Sequence, residues 1–105
     1  MKTLHDLAAK QYKGFEIAQK NKALVKFITE HGFVLEKNGK YTLPTKLWAE
    51  FSVQVQSEYF ELSCEREGNW ESTDRVEIYF SEYPEKELLE TVYNFFANAI
   101  MDCTK

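Results

Sequence analysis

A chain of 105 residues and 12.4 kDa, with 44% apolar, 29% charged and 15% aromatic residues, is expected to fold as a single domain over residues 1–105, a composition that argues against disorder. No apolar run nears the ~20 residues of a membrane span, and Met1 to Asp6 lacks the apolar stretch of a secretory signal. The formal net charge is −4, and two cysteines, Cys64 and Cys103, cannot build a disulfide framework, which points to a reducing cytoplasm.

Thr3, with Asp6 three residues on, reads as a helix start. Apolar residues then recur at helical spacing through Leu4, Leu7, Ala8, Tyr12, Phe15, Ile17, Ala18, Leu24, Val25, Phe27 and Ile28. Gly14 leaves open whether this is one helix or two, and His31-Gly32 marks its end, with Gly32 in the left-handed position after the helix. The period then falls to two. Phe33 to Leu43 around Asn38-Gly39 predicts a hairpin with a type I′ turn. Pro44 closes it, and Leu47, Trp48 and Phe51 suggest a short helical turn before a strand from Ser52 to Gln56.

The alternation resumes with Phe60, Leu62 and Cys64 facing one way and Tyr59, Glu61, Ser63 and Glu65 the other. The phase slips after Val55, so a bulge or turn is expected near Ser57-Glu58. Arg75 to Ser81 repeats the scheme, with Val76, Ile78 and Phe80 inward and Glu77 and Tyr79 outward. Pro84 suits the first position of a last helix, whose stripe is Leu88, Leu89, Val92, Phe95, Phe96, Ala99 and Ile100. The expected fold is α+β: an antiparallel sheet of about four or five strands, with N-terminal and C-terminal helices packed on one face and the other face wet.

Catalytic and cofactor chemistry finds little footing. His5 and His31 stand apart from each other and from both cysteines, without zinc-ligand spacing, so no metal site is expected. No nucleophile has a base nominated beside it. The four glycines are absorbed by a helix break, a helix cap, a hairpin turn and a loop, leaving none for a phosphate-cradling loop, so no cofactor and no enzyme activity are expected.

The charge layout is more informative. Residues 1–48 carry nine lysines against four acids, whereas residues 49–105 carry four basic residues against thirteen acids. If Tyr59–Glu65 and Arg75–Ser81 pair as a hairpin, Tyr59, Glu61, Glu65, Glu77 and Tyr79 share its outward face, and the connecting loop adds Glu67, Glu71 and Asp74 around Trp70. Carboxylates two apart on a strand are separated by roughly 6.6 Å and form rows suited to a basic groove. Tyr79 and Trp70 would be the apolar anchors. The same acids also serve simply as a solvated face, with Glu65 across from Arg75 as a cross-strand pair.

A rival surface is the first helix, with Lys10, Lys13, Lys20, Lys22 and Lys26, which together with the hairpin tip Lys37 to Lys40 has the outline of a winged-helix nucleic-acid binder. That helix contains no arginine and the chain's pI is about 5.2, so direct nucleic-acid binding is disfavoured. Leu24, Phe27 and Phe95 raise a further alternative, a homodimer joined through helix faces. In size and charge layout, through Glu58, Glu61, Glu65, Glu67, Glu71, Asp74 and Glu77, the chain resembles the small acidic inhibitors of microbial conflict: phage-encoded anti-CRISPR proteins, and immunity proteins against nuclease toxins. The resemblance implies a cytoplasmic blocker of a basic nucleic-acid-binding partner, such as a CRISPR effector or nuclease.

Overall fold

The computed structural model describes residues 3–66 and 74–103. In chain order the elements are helix α1 (Leu4–Glu30), strands β1 (Val34–Leu35), β2 (Tyr41–Thr42), β3 (Ala49–Val55), β4 (Tyr59–Arg66) and β5 (Asp74–Tyr79), a 3-10 turn (Phe80–Glu82), and helix α2 (Glu85–Cys103). The strands form one antiparallel meander in the order β1-β2-β3-β4-β5, with both helices on one side, an α+β fold. Among the described residues no helix is long and apolar enough to cross a membrane.

Pairing in register decides which side chains share a face. Phe51 stands opposite Cys64, Val53 opposite Leu62, and Val55 opposite Phe60, which in turn meets Ile78. These residues point at the helices. Phe51, Val53, Phe60, Leu62 and Cys64 are all fully buried. Against them α2 lays Leu88, Val92, Phe96 and Ala99, a spacing of four, four and three that keeps one stripe on the sheet. Aromatic rings knit the core together, with Phe60 5.2 Å from Phe80, and Phe96 4.9 Å from Phe33 and 6.3 Å from Phe51.

Helix α1 runs unbroken through Gly14, so its 27 residues extend about 40 Å at 1.5 Å per residue. Among its described side chains the buried ones, Leu24 and Ile28, lie in the last two turns, whereas Leu4 is 84% and Phe15 62% exposed. Among its described side chains, those packed on the body run from Ile17 onward, and the molecule measures 56 × 25 × 24 Å. Midway along α1, Lys20 Nζ donates a 2.8 Å hydrogen bond to the Phe80 carbonyl. The helix ends in a Schellman motif: Phe33 N–H donates to the Ile28 carbonyl at 3.0 Å, Gly32 N–H donates to Thr29 at 3.1 Å, and Gly32 takes φ +98°. Phe33 and Ile28, brought together by this turn, are both in the core.

Several connections differ from the sequence expectation. Asn38 does not take a positive φ, so the turn is not type I′. Gly39 N–H bonds the Glu36 carbonyl at 3.0 Å, Glu36 N–H bonds the Lys40 carbonyl at 2.8 Å, and only Gly39 is left-handed, at φ +87°. This is the three-residue hairpin, a type I turn followed by a left-handed glycine. The Asn38 side chain favours it by accepting from Lys40 N–H at 3.0 Å.

Phe51 belongs to β3, whose ladder to β4 reaches back to Ala49, and not to a helical turn. The slip after Val55 is a tight turn closed by a 2.8 Å bond from Gln56 N–H to the Tyr59 carbonyl. Phe80 leaves the strand for the 3-10 turn, where its N–H donates to the Glu58 carbonyl at 3.0 Å. Pro84 stands one position before α2, and its carbonyl accepts the first helical bond from Leu88 at 2.9 Å.

Two glycine substitutions should move stability in opposite directions. In Gly32→Ala the new methyl meets Leu43 Cδ1 at 3.4 Å on a left-handed backbone, and the expected loss is about 1–3 kcal/mol. Gly14→Ala enters open space within a helix and should gain about 0.5–1 kcal/mol. Urea unfolding followed by circular dichroism measures both.

Candidate functional site on the open sheet face

The face turned away from the helices is built by the alternate residues of β3, β4 and β5. Its central row crosses the sheet as Val34, Thr42, Ser52, Ser63 and Arg75, each opposite the next in register. Ser52 and Ser63 are only 7% exposed although they lie on the open side, because small side chains sit beneath longer neighbours. They make a low floor. On one side of it Glu50 stands opposite Glu65, and on the other Gln54, Glu61 and Glu77 follow in a row. The two acidic rows are four residues apart along a strand, roughly 13 Å. Beyond them Tyr59 and Tyr79 pair, with ring centroids 5.3 Å apart.

Among the described residues of β3, β4 and β5, four carboxylates therefore share this face with one guanidinium, and Glu36 reaches its edge by accepting a 2.7 Å bond from Thr42 Oγ1. Arg75 Nη2 bonds Glu65 Oε1 at 3.1 Å, and Arg75 Nε lies 4.0 Å from Glu61 Oε1. Arg75 stands opposite Ser63 and reaches Glu65 on the diagonal, two register positions away from the direct opposition expected. Among the described residues Glu50 and Glu77 have no ion-pair partner. Glu61 faces Glu77 and Glu50 faces Glu65 at positions where neighbouring strands are 4.7–4.9 Å apart. Like charges placed directly opposite each other destabilise a sheet.

Of the residues singled out in sequence, Tyr59, Glu61, Glu65, Glu77 and Tyr79 share this face. Glu67, Trp70 and Glu71 lie outside the described residues. Asp74 does not belong with them. It opens β5 opposite Cys64, on the helix side, and its carboxylate binds Arg66 Nη1 at 3.2 Å. The ladder continues one pair further than the alternation of Arg75 to Ser81 implied, and that pair turns Asp74 to the other face.

Sequence reasoning missed Glu50, because Leu47, Trp48 and Phe51 suggested a helical turn there. The signal was present in the alternation from Ser52 to Gln56, which extends backwards through Glu50. Trp48, 79% exposed immediately before β3, is a large apolar side chain next to this acidic row in sequence.

The remaining surfaces are chemically sparse. An apolar groove of about 170 Å³ between the two helices is lined by Phe27, Phe33, Leu43, Tyr93 and Ile100, with His31 at its edge. The His31 ring lies 4.4 Å from Phe27 and 6.0 Å from Tyr93. Among the described residues no group of three or more His, Cys, Asp or Glu side chains could hold a metal ion. Of the residues that suggest a helix-mediated dimer, Leu24 is fully buried, while Phe27 and Phe95 are half-buried and packed against the core.

The chain was compared with protein-family models, curated proteins and solved structures. It matches none of them. The acidic face thus stands on its own geometry.

Replacing one member of the opposed pair should relieve it. Glu77→Lys is expected to raise stability by about 0.2–1 kcal/mol at low ionic strength, with the gain shrinking as salt screens it. Urea unfolding of both proteins at low and high sodium chloride reads this.

Proposed function

We propose that the protein is a non-enzymatic inhibitor that seats its open sheet face in the basic groove of a nucleic-acid-processing enzyme. The observation that carries this reading is the gathering of Glu50, Glu61, Glu65 and Glu77 around a low serine floor with one guanidinium among them. A groove shaped for a polyanion offers rows of cationic side chains, and rows of carboxylates complement it while long-range attraction speeds the encounter. Tyr59 and Tyr79 supply an aromatic edge of the kind that anchors interfaces.

A face kept only for solubility has no need to place like charges in direct opposition, since dispersed charges serve as well. Stability given up at such a place is a common mark of function. The resemblance in size and charge to anti-CRISPR and nuclease-immunity proteins agrees with this reading. The rival, nucleic-acid binding by α1, is weakened by Lys20, whose ammonium is engaged by the Phe80 carbonyl.

Affinity capture from a bacterial lysate, eluted with a salt gradient and identified by mass spectrometry, tests the proposal. A basic nuclease or CRISPR effector released by salt is the expected product. The double variant Glu50→Lys, Glu77→Lys should keep a native circular dichroism spectrum and lose at least about tenfold in affinity for that partner. Undiminished binding by the folded variant, or recovery of nucleic acid alone, would overturn the assignment.

A further inference from the structure

Beneath the sheet, on the side away from the acidic face, the two cysteines meet. Cys64 lies on β4 and is fully buried. Cys103, the last residue of α2, is half-buried and packs against the same core. Cys103 is close enough to act on the Cys64 thiol, and the Arg66 guanidinium, two residues along β4 on the same face, lies in the same neighbourhood. Arg66 also lies 4.0 Å from the Asp102 carboxylate, which independently places the last turn of α2 over this end of β4.

We infer that Cys64 and Cys103 form an oxidation site, in which a peroxide converts the two thiols into an intramolecular disulfide that ties the end of α2 to β4. Accessibility assigns the roles. Cys103 is reachable from solvent, and its sulfur attacks the peroxide O–O bond, giving the sulfenic acid and one water. Burial in the core pushes the Cys64 thiol up to about 11, so it remains protonated at neutral pH and does not react first.

Cys64 is the resolving thiol. Its sulfur displaces hydroxide from the Cys103 sulfenic acid, its proton leaves with that hydroxide as a second water, and the sulfurs close to the disulfide length of about 2 Å. Two electrons pass from the thiols to the peroxide, which supplies both departing oxygens. The bond closes a loop of about 40 residues in the unfolded chain, long enough to be strongly stabilising. The site lies on the opposite side of the sheet from the carboxylates and does not depend on what they bind.

The experiment treats the folded full-length protein with hydrogen peroxide, alkylates it in denaturant, and weighs it. The expected product is a monomer two hydrogen atoms lighter that takes up no alkyl groups, reverts with dithiothreitol, and melts about 10 °C higher than the reduced protein. In Cys64→Ala the reaction should stop at a sulfenic acid on Cys103, trapped by dimedone. In Cys103→Ser, Cys64 should remain alkylatable after peroxide. Two alkylatable thiols in the treated wild type, chain-to-chain crosslinks, or a sulfenic acid that persists on wild-type Cys103 after the peroxide is consumed would each overturn the proposal. Should Cys64→Ala not fold, the wild-type mass alone decides.

Discussion

The seating of α2 on the meander orders the rest of the molecule. Leu88, Val92, Phe96 and Ala99 meet Phe51, Phe60, Leu62 and Cys64, and this apolar contact turns alternate residues of three strands inward. Side chains in a strand have a period of two, so every intervening residue is committed to the other face without any further interaction. A slip of one residue between β3 and β4 would bury Glu61 and Glu65 and expose Phe60 and Leu62. The register is thus held by hydrophobic burial, and the charged face is its by-product in geometry though not in composition.

That composition runs against the local energetics of the sheet. In β3, β4 and β5 the inward residues are well matched in size, while the outward ones include two opposed carboxylate pairs bridged in part by Arg75. The inner face supplies the stability and the outer face gives some of it up. Ser52 and Ser63 add to the contrast, because strand positions usually favour larger branched or aromatic side chains. Their small size leaves the backbone of β3 and β4 close to the surface, with carboxylates standing on either side.

Much of this was readable in the chain itself. The helix and strand periods, the left-handed Gly32 cap and the wet sheet face all follow from the spacing of apolar residues. Turn chemistry was less legible: Asn38-Gly39 is compatible with more than one hairpin, and the side-chain bond from Asn38 to Lys40 N–H selects the three-residue form. Strand ends were harder still. Trp48 hid the start of β3, and nothing local distinguishes Asp74 as a loop residue from Asp74 as the last rung opposite Cys64. Both depend on how far the ladder runs, a property of two strands at once. The meeting of Cys64 with Cys103 belongs to the same class, since only the placement of α2 over β4 brings them together.

Phe80 ties distant parts of the chain into one point. Its ring is in the core, its N–H holds the β3–β4 turn through Glu58, and its carbonyl receives Lys20 from a helix sixty positions earlier. The hairpins close loops of a few residues and form early, whereas α1 finds its seat only when this late segment exists. Synthesis imposes the reverse order, because α1 leaves the ribosome first. At roughly 5–20 residues per second, the roughly 50 residues from Glu30 to Phe80 take roughly 3–10 s to add. For that interval Leu24 and Ile28 have no core to enter, and α1 is a nascent helix waiting for the rest of its own fold.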